Sequence, residues 1–172
     1  MKLSRNFRIL TASAALATLA ACSGGAGDDE GDGEEAVAAE EASGPAASVK
    51  ERQAKFEAIG DAFKAIRGQL ETDSPDMALI GESAAIMNQN AEAVAELFPA
   101  GTSVDDGVET EALAAIWEKP EEFEAARVKL VETSAEMAAL AQGGDAAAVG
   151  AQVAAVGGSC KGCHENFRLK TE

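Results

Sequence analysis

Basic residues are scarce. Fourteen Lys and Arg stand against thirty Asp and Glu, and the formal net charge is −16. Such a chain has little to neutralise phosphates with, which excludes an electrostatic nucleic-acid binder. The same deficit argues against peripheral attachment to an anionic bilayer. Aromatic residues are scarce too, with no Tyr, one Trp and six Phe. Alanine fills much of the hydrophobic count, and a chain poor in aromatic and β-branched residues favours helices over sheet. One His and three Cys are too few for a multi-metal site. The 172 residues fit one ordinary domain with a leader or tail, and not two full domains.

The first segment reads as targeting. Residues 1–21 open with Lys2, Arg5 and Arg8 and continue into the apolar stretch Ile9–Ala21, which is too short to span a bilayer. Small residues follow, as in a bacterial export signal. Leu19-Ala20-Ala21-Cys22 resembles a lipobox, which makes Cys22 the expected lipidation site and mature N-terminus. Acyl chains contribute roughly 0.8 kcal/mol per buried CH₂, so several hold a soluble domain at a membrane. By resemblance to Gram-negative lipoproteins, Ser23 permits sorting to the outer membrane. The expected location is therefore periplasmic, tethered to the outer or inner membrane by the lipid alone. Loss of residues 1–21 takes three positive charges with it and moves the net charge from −16 to −19.

Cys22 heads a spacer that runs to residue 47. It is Gly-rich and acidic, with almost no large apolar side chain, so it cannot bury enough surface to order itself. Its acidic run lacks the ligand order of a calcium-binding EF-hand loop.

Residues 48–172 are long enough for a core and show four helical periodicities. Phe56, Ile59, Phe63, Ile66 and Leu70 make the first stripe. Ser74-Pro75 is the expected N-cap and first residue of the second helix. Met77, Ile80, Ala84, Met87, Ala91, Val94 and Leu97 make its stripe, and Pro99 ends it. Pro120 opens the third, lined by Phe123, Ala126, Leu130, Met137 and Leu140, and Gly143-Gly144 stops it. Asp145 caps the fourth, which carries Val149, Val153, Val156, Cys160, Cys163 and Phe167. Short connections near 71–74 and 143–144 pair the helices antiparallel. The expected fold is all-α: an antiparallel four-helix bundle with one long crossover, about 99–119, between helices 2 and 3. Trp117 reads as a hydrophobic plug fixing that crossover to the bundle.

Cys160-Lys161-Gly162-Cys163-His164 is CxxCH, the pattern of c-type haem attachment. Positions i, i+3 and i+4 of a helix share one face. The two thiols can thus meet the two haem vinyl groups while the imidazole reaches the iron. A structural zinc site needs four ligands, and no further Cys or His is at hand. A thioredoxin-like CxxC expects a βαβ context, which is missing. One covalently attached haem c is the expected cofactor.

The motif lies near the chain's end, on the last helix of an expected bundle. That position resembles the cytochrome c′ family, whose members are four-helix bundles. The resemblance covers roughly residues 50–171. Arg52-Gln53-Ala54-Lys55-Phe56 looks like the family's RQ opening, Thr110-Glu111-Ala112 through Ile116-Trp117 resembles its T-x-A…IW segment, and CKGCHENFR is close to its ending. The resemblance implies thioethers at Cys160 and Cys163, His164 as the proximal ligand and Arg168 beside the imidazole. It also implies Arg52 and Gln53 near the haem propionates, where Arg matches carboxylates well. Phe167 is expected to pack against the porphyrin.

Low-spin relatives of this fold place a Met on the first helix, four residues after that Arg. This chain has Phe56 there, and Phe has no lone pair for iron. Met77, Met87 and Met137 sit at stripe positions and read as core filler. The expectation is a five-coordinate high-spin iron whose apolar distal face is capped by Phe56. It would bind NO or CO, carry one electron, or both. The alternative is a purely electron-transferring cytochrome with a six-coordinate low-spin haem. No distal His or Arg acid–base pair is visible, so the chain is not read as an enzyme. The acidic surface and tether suit docking to a basic redox partner protein. The family often forms dimers through its first two helices, which leaves a homodimer open.

Overall fold

The computed structural model describes residues 44–170. The expected leader, Cys22 and most of the spacer lie outside the described residues. Four long helices form the domain: α1 Pro45–Leu70, α2 Met77–Ala93, α3 Pro120–Gln142 and α4 Ala146–Phe167. α1 packs on α2, α2 on α3 and α3 on α4. α1 and α4 meet along only a short stretch, and the ring is therefore open between them.

α1 starts at Pro45, inside the segment that composition had assigned to the spacer. Pro in the first turn fixes φ where no N–H partner is needed, and Val49 buries the turn that follows. The buried stripe continues backwards from Ile59 to Arg52, two turns earlier, and on to Val49. Arg52 is thus a charged residue in a core register.

The N-cap of α2 is Asp76 and not Ser74 with Pro75, which corrects the sequence expectation. The Asp76 carboxylate accepts from the N–H groups of Ala78 and Leu79 at 3.0 and 3.1 Å. Its own N–H donates to Gln69 Oε1 at 3.0 Å. A carboxylate satisfying two free N–H groups at the positive end of a helix outcompetes a hydroxyl two residues earlier. The α-helix ends at Ala93 and a single 3₁₀ turn, Val94–Glu96, carries the stripe onward with Val94 fully buried. Pro120 and Asp145 start α3 and α4 where the sequence placed them. Gly144, at φ +73°, makes the turn between them, a conformation that favours glycine.

The main core runs through the bundle body and contains Ile59, Ile66, Ile80, Met87, Leu130, Met137, Val149 and Val156. A second cluster sits at the crossover end: Ala112, Ile116 and Phe167, with Phe98, Trp117, Phe123 and Cys163 against them. Here the scarce aromatics are concentrated. Phe98 lies edge-on to Phe123, Trp117 and Phe56 with ring centroids 4.8, 6.1 and 6.5 Å away, and Phe123 meets Phe167 at 5.3 Å. The Trp117 indole N–H donates to Phe98 O at 3.0 Å, so the plug is pinned as well as packed.

The crossover is ordered by side chains rather than by long elements. Arg52 Nη1 donates to Leu97 O and Thr102 Oγ1, and Nη2 donates to Thr102 O and Thr110 Oγ1, all within 2.6–3.2 Å. Its guanidinium also lies 4.8 Å from the centroid of the Phe98 ring, a cation–π contact. A 3₁₀ turn, Val104–Asp106, is closed by a capping box between Ser103 and Asp106. One helical turn, Ala115–Glu118, then leads into α3.

Candidate haem-binding site

The gap between α1 and α4 is a cavity of about 750 Å³, roofed by the crossover and backed by α3. That volume is in the range of small-molecule and cofactor pockets. Arg52, Gln53, Phe56, Cys160, Cys163, His164 and Arg168, the domain residues singled out from sequence, all reach its wall. Ile59, Phe63, Phe98, Phe123 and Leu130 supply its apolar lining.

α4 positions the motif. Its buried stripe points Val149, Val156 and Phe167 inward, and this register turns Cys160, Cys163 and His164 onto the cavity side. Both cysteines are half-buried and unpaired. Burial pushes the Cys160 thiol up. Burial and the neighbouring Cys160 push the Cys163 thiol up to about 11. At neutral pH both remain S–H groups, unlike the low-pKa thiolates of redox and metal-thiolate sites. His164 is exposed on the cavity wall, yet the apolar surroundings desolvate it. This lowers its proton affinity, and the Arg168 charge lowers it further, against an opposing effect of Glu111. The imidazole is thereby held neutral, the form whose lone pair binds a metal.

Arg168 ends α4 in an extended conformation, with φ −119° and ψ 134°. Its backbone pairs with Ala112 of the crossover. Its Nε donates to Glu111 Oε2 at 2.6 Å. Gln53 Nε2 donates to Glu109 O at 3.1 Å. The crossover is therefore tied to α1 by Arg52 and Gln53 and to the end of α4 by Glu111. Phe56 is 38% exposed because it faces the cavity and not the core.

Sequence reasoning missed Thr102, the buried partner of Arg52, and Thr110 and Glu111 on the cavity wall. The register of Arg52, two turns before Ile59 on the stripe, was the available signal for the first two. Glu111 carries no local signal, since its partner is 57 residues away. Among the described residues no cluster of three or more His, Cys, Asp and Glu side chains forms a separate metal site. No helix there is long and apolar enough to cross a membrane.

The residues fit a haem group. Two neutral thiols and a neutral imidazole at i, i+3 and i+4 share one wall, and an aromatic lining faces a space of cofactor size.

Comparison with known proteins agrees with this geometry. Residues 47–168 match the family profile described as Cytochrome C′. Cytochrome c′ of Pararhodospirillum photometricum is 40% identical over 129 residues, covering 72% of this chain and 98% of that protein. Cytochrome c-556 of Agrobacterium tumefaciens is 32% identical over 126 residues, covering 73% and 99%. The crystal structure of cytochrome c′ from Rubrivivax gelatinosus superposes with a TM-score of 0.66 at 30% identity, covering 73% of this chain and 98% of that one.

Proposed function

Because the chain belongs to the cytochrome c′ family, a family of haem c proteins, we propose that it holds one haem c through Cys160 and Cys163, with His164 as axial ligand and an open position opposite. When bound, that group supplies a one-electron iron couple and a place for a neutral diatomic gas such as NO or CO.

The observation that carries this reading is the make-up of the cavity wall. Among its residues there is no Met, and His164 is its one His. Met87 and Met137 are fully buried in the main core, and Met77 packs beside them. Lys64 reaches the wall, but its amine is bonded to Asp61 at 2.8 Å, which raises its proton affinity and keeps its lone pair occupied. Arg127 bonds Ala91 O and Glu124, and Gln53 bonds Glu109 O, so these donors are already committed. Phe56 adds an apolar ring without a donor. A pocket of this kind gives bound O₂ no polar stabilisation and suits neutral gases.

Arg52 donates to four neutral acceptors and to no carboxylate, so its charge is left uncompensated by a protein acid and would be available to the carboxylates of a bound haem. The acidic surface suits a basic electron-transfer partner, and the lipidated Cys22 would hold the domain at a periplasmic membrane face. Leu79 and Ile86, two turns apart on α2, are exposed and would meet a second copy in a homodimer.

Attachment is tested by a pyridine haemochrome assay and intact mass on protein co-expressed with a cytochrome c maturation system. One covalent haem is expected in the native chain. Cys160→Ser with Cys163→Ser should leave none after acid–acetone extraction. Undiminished covalent haem in the double variant would overturn the assignment.

A further inference from the structure

Glu111 is fixed to the end of α4 twice. Its carbonyl accepts from Leu169 N at 2.8 Å, and its carboxylate accepts from Arg168 Nε at 2.6 Å. Next to it, Leu113 N donates to Phe167 O at 3.1 Å. The backbone contacts already dock the crossover on α4 without any side chain. The ion pair is about half exposed on both sides. Exposed pairs of this kind contribute little to stability. What the carboxylate does is choose where the guanidinium sits.

Arg168 lies one turn beyond His164, with its N–H 3.3 Å from His164 O, just where the chain leaves the helix. An Arg at an exposed helix end has many rotamers of similar energy. Bonding Nε to Glu111 selects a narrow set and leaves both terminal nitrogens without an acceptor among the described residues. Glu111, Arg168 and His164 line the same wall, so the paired guanidinium and carboxylate bring opposite charges to the imidazole side of the cavity.

We infer that Glu111 is a positioning residue for the His164 face of the cavity: its carboxylate fixes the Arg168 guanidinium beside the axial imidazole and offsets its charge there. This rests on the haem reading above. Loss of the Glu111 charge leaves Arg168 uncompensated, destabilises the more positive ferric state and raises the reduction potential. Loss of the acceptor as well frees Arg168 to sample several positions around the imidazole.

The test compares haem-loaded native protein with Glu111→Gln, Glu111→Ala, Arg168→Gln and Glu111→Ala in the Arg168→Gln background. The readouts are the reduction potential and the iron–histidine stretching band of the ferrous form by resonance Raman. Glu111→Gln keeps an acceptor oxygen and the backbone bonds; it should raise the potential with one narrow band. Glu111→Ala should raise the potential and broaden or split the band. In the Arg168→Gln background the same substitution should leave the band unchanged. A native-like potential and band in both single Glu111 variants, with only a lower melting temperature, would reduce Glu111 to a structural clamp and overturn the inference. If Glu111→Ala does not load haem, the potential of Glu111→Gln decides. A native chain without covalent haem overturns the haem reading itself, which the haemochrome assay separates from a silent Glu111.

Discussion

Arg52→Ala is expected to loosen the crossover far more than a surface Arg substitution would. Arg52 is 2% exposed and donates four hydrogen bonds, two of them to Thr102, which is fully buried. The bonds to Leu97 O and Thr110 Oγ1 are only partly buried, and water entering from the cavity can replace them. Thr102 Oγ1 keeps its own bond to Pro99 O at 2.8 Å. The cost therefore concentrates on Thr102 O, on the second bond to Thr102 and on the lost contact with Phe98. A buried acceptor left alone costs about 1–3 kcal/mol, and the charged bond and cation–π contact bring the total to about 3–5 kcal/mol. Set against a typical stability of about 5–15 kcal/mol, that is a large fraction. For a domain of this size it corresponds to a fall in Tm of about 10–20 °C. Circular dichroism melts give the Tm, and hydrogen exchange reports whether the crossover amides open before the helices. Arg52→Lys keeps the charge but not the planar fork, and should recover roughly half of the loss. A melt within about 3 °C of native with protected crossover amides would refute the argument that Arg52 holds the crossover.

Other perturbations separate the remaining parts. Asp76→Ala removes the acceptor for two N–H groups at the start of α2 and should cost about 1 kcal/mol, read from the urea midpoint; Ser74→Ala should cost much less. Asp106 has its pKa lowered by the hydroxyl and N–H of Ser103. A carboxyl with a depressed folded pKa contributes stability above its unfolded pKa and loses it as pH falls through the folded value. Crossover amides should therefore exchange relatively faster toward acid, and Asp106→Asn should flatten that dependence. Leu79→Glu on α2 should shift a dimer to a monomer in light scattering without changing the haem spectrum; a native monomer at high protein concentration would remove the proposed α2 contact.

Helix register was legible because each helix repeats its apolar residues at steps of 3 and 4, and one misplaced residue would turn a Leu or Met to solvent. The CxxCH motif was legible because its chemistry is contiguous. The start of α2 was less so: Ser74, Pro75 and Asp76 are all acceptable initiators, and the choice fell on the one whose carboxylate reaches two N–H groups. The crossover was legible only as a length. Its path depends on Arg52 reaching fifty residues ahead to Thr102, a contact no local pattern encodes. Glu111 pairs with Arg168 across a still longer separation and on its own resembles any exposed acid.

The measurement that bears most directly on the central claim is the optical spectrum of the haem-loaded protein, ferric and ferrous, with and without CO. A wall with no Met and no second His beside His164 predicts broad high-spin bands that shift when CO is added. A sharp low-spin spectrum indifferent to CO would contradict it, since a sixth ligand would then occupy the position that Phe56 is argued to cover.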